Sequence, residues 1–478
     1  MTLSPEAFDL CVIGAGSGGL SVAAGASQMG ARVVLIEKHK MGGDCLNYGC
    51  VPSKALLAAG HAAWAARGRP GLGVAAQEPV IDGAKAFSHV ASVIKTIEPM
   101  DSVERFEGLG VTVVQGAATF LDGKTVEAGT RRFTAKRFII ATGSRAFIPP
   151  IPGLDETPYL TNETLFDQTR VPEHLIVLGA GPIGLEMAQA HRQLGARVTV
   201  FEMARALPKD DPELAAVTLK RLRDSGIEIR EGAKVTKTAK SAKSASGVTV
   251  TFETEEGEAT LEGSHLLVAT GRQANVDGLG LEAAGVRYSP RGIEVDARLR
   301  SSNKKIFAIG DVAGGLQFTH VAGYHAGIII RNVLFRMPAK ANHSTIPWVT
   351  YTDPELAQVG LTEADAKAKG LAFNVLRWSF AENDRAQAEG AQDGMIKVIV
   401  TPKGKILGAG IAGKSAGELI QTWVLAMTSG LKIGAIAGMV APYPTLGEVS
   451  KRAAGSFYTP KLFSDRTRSI VRFLLKFG

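Results

Sequence analysis

Near the start of the chain, apolar segments and a glycine-rich turn follow one another in the order that predicts a βαβ unit. Its parts are an apolar strand at 8–13, the turn GAGSGG, a helix of small residues at 20–29 and a second apolar strand at 32–36. In a dinucleotide-binding turn, Gly14 would make the tight bend, Gly16 would let the backbone approach a pyrophosphate, and Gly19 would let helix and strand pack closely. Glu37 ends the second strand, where a carboxylate can accept a hydrogen bond from a ribose hydroxyl.

The same construction returns in the middle of the chain. An apolar strand at 175–178 runs into the turn GAGPIG, a helix follows, and a strand at 197–201 leads to Glu202. Gly179, Gly181 and Gly184 repeat the three glycines, and in both copies the acid stands 23 positions after the first glycine. Two copies with matched spacing, each between a strand and a helix, indicate two dinucleotide sites rather than chance glycine turns.

Two dinucleotides in one chain suggest electron transfer between them, commonly between a flavin and a nicotinamide. Glu202 favours NAD(H), because the extra phosphate of NADP(H) would call for an arginine at this place. Arg205 is close enough in sequence to keep NADP(H) as the less favoured alternative. Between the copies, the Pro-rich segment 147–153 cannot continue a helix or a central strand, so it predicts a domain boundary near residue 150.

Two of the three cysteines, Cys45 and Cys50, stand five positions apart where a helix is predicted to begin. They could bridge if the first turn is distorted, and the helix N-terminus would lower the pKa of a thiol there. The alternatives are two buried thiols or a metal site, although no second Cys or His pair has ligand spacing. A redox-active disulfide fits best. Cys11, inside the first strand, is predicted to be a small buried hydrophobe.

The composition is that of a globular protein: of 478 residues, 45% are hydrophobic and 21% charged. This excludes disordered and collagen-like chains, and three cysteines are too few for a disulfide scaffold. The sequence has no run of about 18 uncharged apolar residues, so it predicts no transmembrane helix. No positively charged region followed by an apolar one precedes the first strand, so we expect no signal peptide. We therefore expect a cytoplasmic protein.

The motifs, in their order along the chain, resemble the flavin-dependent pyridine nucleotide-disulfide oxidoreductases, which include dihydrolipoamide dehydrogenase, glutathione reductase and mercuric reductase. Beyond the two glycine turns they are GGDCLNYGCVPSK at 42–54, ATG at 141–143, ATGR at 269–272, IFAIGD at 306–311, THVA at 319–322, YTDPE at 351–355 and AGELI at 416–420. The resemblance implies an α/β fold with two Rossmann-like domains, for FAD and NAD, and a C-terminal α+β dimerisation domain. The implied limits are 1–150 and 272–345 for FAD, 151–271 for NAD and 346–478 for dimerisation.

The resemblance also implies a mechanism and its residues. Electrons would pass from NAD(P)H through FAD to a Cys45–Cys50 disulfide, and then to a thiol or disulfide, a metal ion or another small acceptor. Cys50 would face the flavin as a thiolate, Cys45 would exchange with substrate, and Lys54 would lie beside the flavin and pair with Glu186. The implied FAD residues are Gly14, Gly16, Gly19, Glu37, Gly43, Asp44, Lys54, Thr142, Gly143, Ser144, Gly310, Asp311, Thr319 and His320. The implied NAD residues are Gly179, Gly181, Ile183, Gly184, Glu202 and Gly271, and no resident metal is expected.

The C-terminal motif departs from the family pattern. Dihydrolipoamide dehydrogenases and glutathione reductases place there a His-Pro-Thr whose histidine serves the partner subunit's thiols, oriented by a glutamate five residues on. Here the segment reads APYPTLGE, with Tyr443 at the histidine position and Glu448 retained. A phenol is a poor base at neutral pH, which puts dithiol-disulfide turnover in doubt. Mercuric reductase also has a tyrosine there, but it adds a C-terminal cysteine pair that this chain lacks.

The acceptor therefore stays open, with dihydrolipoamide dehydrogenase as an alternative activity. A non-catalytic flavoprotein used for tethering or partner binding is the competing class, against which the retained cysteines, Lys54 and Glu186 speak. Because the Tyr443 motif would complete the other subunit's cysteine site, a homodimer is expected. A second departure is Asp44, where relatives usually have threonine. It would alter the flavin phosphate or cysteine environment, or it is simply tolerated.

Most of the net charge of +8 lies in the last 28 residues, which we call the basic tail (451–478). It has seven Lys or Arg residues and one acid, Asp465. Near its end, apolar residues recur at helical spacing, and basic residues form a second stripe beside them. The apolar residues are Ile470, Phe473, Leu474 and Phe477, and the basic ones are Arg468, Arg472 and Lys476. The pattern favours a helix packed on the body or the dimer partner, with an anionic membrane surface as the alternative. No nucleic acid is expected, since no recognition fold accompanies the charge.

Overall fold

The computed structural model describes residues 4–241, 246–255 and 257–477, so that Gly478 of the basic tail lies outside the described residues. Its first sheet has a parallel core, which fits strands that are apolar on both faces, such as the fully buried Val33–Glu37. The parallel strands, in spatial order, are Thr112–Gln115, Val33–Glu37, Glu6–Ile13, Arg131–Ile140 and Ile306–Ala308. Thr125–Ala128 and Ala118–Phe120 extend it by antiparallel pairing. Cys11 is fully buried in its strand, as predicted.

A second, four-stranded sheet repeats this order. Its parallel strands are Ile227–Glu231, Arg197–Glu202, His174–Leu178 and His265–Val268, and beside them lies an antiparallel sheet of Val235–Lys240, Val248–Thr254 and Gly257–Gly263. In each parallel sheet a Gly-rich turn leads from the first strand into a helix, Ser17–Gln28 in one and Pro182–Gln193 in the other. The two Rossmann-like units are thus confirmed.

The chain crosses between the two units through a short ribbon. Ser144–Ala146 pairs antiparallel with Arg272–Ala274, close to where the predicted limits of the inserted domain fall. The domain extents themselves stay a prediction.

The third unit is built on a five-stranded antiparallel sheet. Its strands, in spatial order, are Pro347–Thr350, Glu355–Gly360, Ile406–Gly413, Met395–Val400 and Asn374–Ser379. The helices on this unit are Glu363–Ala368, Asp384–Ala388, Ala416–Leu419, Gln421–Thr428, Ile433–Gly438 and Glu448–Ser456. Trp423 lies at 0% exposure in its core, with its indole N–H donating to Ser450. This is the expected α+β domain.

The other helices connect or cover the sheets. They are Gly43–Asn47, Cys50–Ala66, Gly83–Ile97, Val103–Gly108, Pro212–Asp224 and Thr319–Val333. Lys397, buried in the third unit, joins it to the second unit by ion pairs of 2.9 Å to both Asp211 and Glu213. A buried ammonium needs such partners, so this cluster fixes the two units against each other.

Residues 451–456 of the basic tail complete the helix Glu448–Ser456, where Ala453 and Ala454 are buried. Two further helices follow, Thr459–Leu462 and Asp465–Leu474. Neither helix has a buried residue, and apolar side chains such as Phe473 are more than half exposed. Of the two partners expected for the tail helix Asp465–Leu474, the body of its own chain does not cover the apolar face, and packing on the dimer partner stays a prediction. Among the described residues, the helices are too short or too polar to cross a bilayer.

Candidate functional site

One cleft of about 1120 Å³ brings together most of the predicted site residues. Those that line it are Gly14, Gly16, Glu37, Gly43, Asp44, Cys45, Cys50, Lys54, Thr142, Gly143, Ser144, Gly179, Gly181, Ile183, Glu186, Glu202, Gly271, Gly310, Asp311, Thr319 and His320. Gly19 and Gly184 lie one layer beneath the two turns, and Tyr443 and Glu448 lie outside the cleft of their own chain.

The glycine turns are built alike in the two units. Gly14 has φ +102°, and a Cβ atom there would lie 2.5 Å from the carbonyl oxygen of Ala141. A Cβ atom on Gly19 would lie 1.9 Å from the Gly14 oxygen, and one on Gly184 would lie 2.0 Å from its counterpart, Gly179. Only glycine fits where backbone meets backbone this closely.

The middle glycine of each turn borders open space instead. A Cβ atom on Gly181 would meet no atom within 4 Å, and one on Gly16 would meet only the Cα atom of Gly43, at 4.0 Å. Each space lies at the N-terminus of a helix, where free N–H groups favour a phosphate. The chain is thus shaped to take a dinucleotide pyrophosphate at both places.

The two acids at the strand ends have equivalent contacts. Glu37 Oε2 accepts from the Ala15 N–H at 2.6 Å, and Glu202 Oε2 accepts from the Ala180 N–H at 2.9 Å. These bonds aim each carboxylate at the cleft, and a carboxylate oxygen has a second lone pair for a ribose hydroxyl. Arg205 donates instead to the Pro208 and Asp210 carbonyls, at 3.1 and 3.3 Å.

Cys45 and Cys50 are free thiols, close enough for one to hydrogen-bond the other. The bond from Cys45, followed by contacts with Thr319 and Lys54, lowers the pKa of Cys50 to about 6, although burial opposes the shift. The same bond, together with burial, raises the pKa of Cys45. Cys50 begins a helix and faces the cleft, with Sγ 3.2 Å from the Thr319 hydroxyl. Cys50 is therefore the thiol prepared to be a thiolate.

Lys54 and Glu186 meet across the cleft wall, as predicted from the resemblance. Lys54 Nζ lies 2.8 Å from Glu186 Oε2, and Glu186 Oε1 accepts from the Tyr351 N–H at 3.0 Å. Glu186 is buried, and each of its two carboxylate oxygens has a partner. The Tyr351 ring also lies 4.2 Å below the Lys54 ammonium, a cation–π contact that the sequence did not indicate.

Asp44 has partners that its sequence neighbourhood did not reveal. It pairs with Arg272 at 3.1 Å and accepts from the Asn162 amide at 2.9 Å. Arg272 also donates to Ser144 Oγ at 2.7 Å, and that hydroxyl donates to Asp311 Oδ2 at 2.5 Å. Asp44 is thus paired with an arginine of the strand Arg272–Ala274. Arg272 belongs to the ATGR motif, which was the only signal for it.

Thr319 and His320 begin the helix that closes one side of the cleft. His320 Nε2 lies 2.8 Å from the Pro347 carbonyl, and its ring stacks on Phe318 at 5.3 Å. Thr142 and Gly143 both bind the backbone of Asn275. Its carbonyl oxygen accepts from the Thr142 hydroxyl, and its N–H donates to the Gly143 carbonyl. Burial raises the pKa of Asp311, and the bond from Ser144 opposes that shift.

Tyr443 stands on the surface of the third unit, 70% exposed. Its hydroxyl donates to Asp384 Oδ2 at 3.0 Å, and this bond raises the phenol pKa above its ordinary value. Glu448 instead accepts from the Thr445 N–H at 3.5 Å. Asp384 was missed by the sequence reasoning because nothing in the residues around it marks it as a partner of Tyr443.

Comparison with protein families agrees with this geometry. A family described as "Pyridine nucleotide-disulphide oxidoreductase" matches residues 8–326, and its "dimerisation domain" matches residues 346–454. The chain belongs to this family. It is thus an NAD(P)H-dependent flavin disulfide oxidoreductase, and its third unit is the family's dimerisation domain, which supports a homodimer. The alternative of a non-catalytic flavoprotein is not favoured.

Individual members of the family are similar over nearly the whole chain. A mercuric reductase from Streptomyces lividans is 36% identical, covering 94% of this chain and 96% of that protein. A dihydrolipoyl dehydrogenase from Geobacillus stearothermophilus is 37% identical, covering 93% and 94%. Among solved structures, the Cu(II) complex of the HOCl-induced flavoprotein disulfide reductase RclA from Escherichia coli has a TM-score of 0.84 at 27% identity, covering 95% of this chain and 100% of that one.

Proposed function

We propose that the oxidoreductase passes electrons from NADH through Cys45 and Cys50 to a metal cation. When bound, FAD accepts hydride from the nicotinamide and supplies an electron pair to the cysteine disulfide. Cys50, held as a thiolate by its bond from Cys45, faces the cleft, and Cys45 meets the acceptor. Lys54, fixed by Glu186, holds a positive charge beside the pair.

The observation that carries this proposal is the hydrogen-bonded phenol of Tyr443 at the place of an acid-base histidine. Reducing a disulfide releases a thiolate that is best protonated as it leaves. Tyr443 is a weak acid whose raised pKa makes it weaker still, and none of the nine histidines lies in its motif. A metal cation needs no such proton. Cys45, whose pKa is raised, releases its proton to solvent as its sulfur binds the cation. The two sulfurs then lose two electrons and form one disulfide, while one Hg(II) becomes Hg(0) or two Cu(II) become two Cu(I).

The names of similar proteins support the same class of acceptor. Mercuric reductases are among the relatives, and a Cu(II) complex is among the similar structures. This chain has no cysteine after position 50, so the cation would meet the Cys45–Cys50 pair without relay by further thiols of the same chain.

The test is NADH oxidation by the FAD-loaded homodimer with Hg(II), Cu(II), lipoamide and glutathione disulfide. We expect turnover with at least one of the two metals, little with either disulfide, and loss of metal turnover in Cys45→Ser. Tyr443→His should raise the disulfide rates, because imidazole restores a proton donor. Strong lipoamide turnover by the unaltered protein would overturn the proposal.

The donor is NADH rather than NADPH in this proposal. Glu202 at the strand end would repel a 2′-phosphate, and Arg205, the nearby cation, is engaged by two backbone carbonyls. Both features favour a ribose without the extra phosphate.

We also infer that the last helix of the basic tail, Asp465–Leu474, lies on an anionic membrane surface at the cytoplasmic side. Its apolar face is exposed at Ile470, Phe473 and Leu474, next to basic side chains, and the matched dimerisation domain ends at residue 454, before this helix. Vesicles with and without phosphatidylserine, sedimented with the full chain or with a chain ending at residue 463, test this. We expect the full chain to sediment with the phosphatidylserine vesicles and not with the others, and the shortened chain to sediment with neither. Equal binding of both chains, or a homodimer lost on truncation without vesicle binding, would contradict it.

A further inference from the structure

We propose that Asp384 is a positioning residue for Tyr443, which it holds as a neutral oxygen acceptor toward the partner subunit's thiol site. The inference rests on the proposed function, since it concerns how Tyr443 meets the acceptor there. The phenol is exposed and stands between two prolines, so the hydrogen bond to Asp384 Oδ2 at 3.0 Å is the contact that orients its hydroxyl.

Asp384 is fixed to the same loop as its tyrosine. It is the first residue of the helix Asp384–Ala388, whose N-cap, Asn383, is buried. Asn383 Nδ2 donates to the carbonyl oxygen of Thr445 at 3.0 Å, two residues after Tyr443. The carboxylate and the phenol therefore share one support.

The direction of the bond determines what Tyr443 can offer. A phenol has one O–H hydrogen and two acceptor lone pairs. Because its hydrogen goes to Asp384, the lone pairs are left to face outward, and donation to an anion makes them better acceptors. Such an oxygen can meet a cation or accept a hydrogen bond from a thiol, but it has no hydrogen to give to a departing thiolate.

Asp384 thereby takes the orienting role that family resemblance gave to Glu448. Glu448 Oε2 binds the backbone N–H of Thr445 and makes no bond to the phenol. Replacement of histidine by tyrosine in this chain goes together with a different carboxylate partner, placed on another helix.

The first test is a double-mutant cycle in the FAD-loaded homodimer, with Cu(II) or Hg(II), whichever is turned over, as the acceptor. Asp384→Ala and Tyr443→Phe should each lower kcat/KM for the metal by roughly tenfold, the effect of losing a charge-assisted hydrogen bond. The double variant should lose no more than Tyr443→Phe alone, because Asp384 acts only through the phenol. Asp384→Asn, which keeps an acceptor oxygen, should recover part of the loss. Flavin reduction by NADH should be unchanged throughout.

Glu382→Gln is the matched control, since it removes an exposed acid two residues away and should leave the metal rate unchanged. If Asp384→Ala behaves like this control, or if the two losses multiply, the positioning role is wrong.

A second measurement does not depend on turnover. With fluorotyrosine incorporated, the ¹⁹F signal of Tyr443, assigned by its loss in Tyr443→Phe, should shift in Asp384→Ala and hold its place in Glu382→Gln. An unshifted signal in Asp384→Ala would overturn the positioning role. Absence of turnover with either metal would overturn only the proposed acceptor.

Discussion

Lys54 Nζ lies 2.8 Å from Glu186 Oε2, although one residue belongs to the cysteine helix and the other to the helix after the second glycine turn. The pair joins the two nucleotide-binding units at the point where they meet the thiols. It places a cation close enough to Cys50 to help lower the thiol pKa. The Glu186 carboxylate in turn holds the Lys54 ammonium at this place.

Removing that cation should raise the pKa of Cys50. In Lys54→Met, the pH midpoint for alkylation of reduced holoenzyme by iodoacetamide should move upward, because a thiolate loses a nearby positive charge. Lys85→Met, which removes an exposed lysine of another helix, serves as the control and should leave the midpoint in place. An unchanged midpoint in Lys54→Met would contradict the electrostatic role of Lys54.

Cys45 should matter more than Lys54, because its hydrogen bond is the largest cause of the lowered Cys50 pKa. A lowered pKa means that the thiolate persists down to about pH 6 and is lost as the pH falls through that value. We expect the alkylation rate of Cys50 to follow this titration. Cys45→Ala should move it toward the ordinary thiol range near 8.5. A wild-type midpoint near 8.5 would show that Cys45 does not lower the pKa of Cys50.

The glycines at 181 and 184 should fail in different ways. Gly184→Ala places a methyl group 2.0 Å from a backbone oxygen, so it should lower the free energy of unfolding by about 1–3 kcal/mol. Gly181→Ala meets open space and should unfold like wild type, yet its methyl group would occupy the place of a phosphate and raise KM for NADH. Thermal unfolding and NADH kinetics separate the two effects. A normal KM in Gly181→Ala would contradict the pyrophosphate position.

Glu202 should control the choice of nucleotide. Glu202→Gln keeps an oxygen for the Ala180 N–H but removes the negative charge, so the ratio of kcat/KM for NADPH to that for NADH should rise. Glu173→Gln, an exposed acid before the first strand of the same unit, should not change this ratio. A ratio that stays the same in Glu202→Gln would leave the preference for NADH without its proposed cause.

Local sequence signals account well for the glycine turns, where backbone contacts inside a short segment require Gly19 and Gly184. Lys54 and Glu186 could be paired only through family resemblance, because their contact spans two domains. Arg272 with Asp44 and Asp384 with Tyr443 are likewise tertiary pairs, and nothing local marks an exposed acid as the partner of a phenol. Helical periodicity predicted the tail helix, but periodicity defines an apolar face without saying what covers it.

The most direct test of the central claim is anaerobic titration of the FAD-loaded homodimer with NADH, followed by absorbance at long wavelength. If electrons reach Cys45 and Cys50, the released Cys50 thiolate against the oxidised flavin should produce a new absorbance band. The band should vanish in Cys50→Ser, and NADH should not generate it in Cys45→Ser, which has no disulfide to open. A band of equal strength in Cys50→Ser would contradict the account.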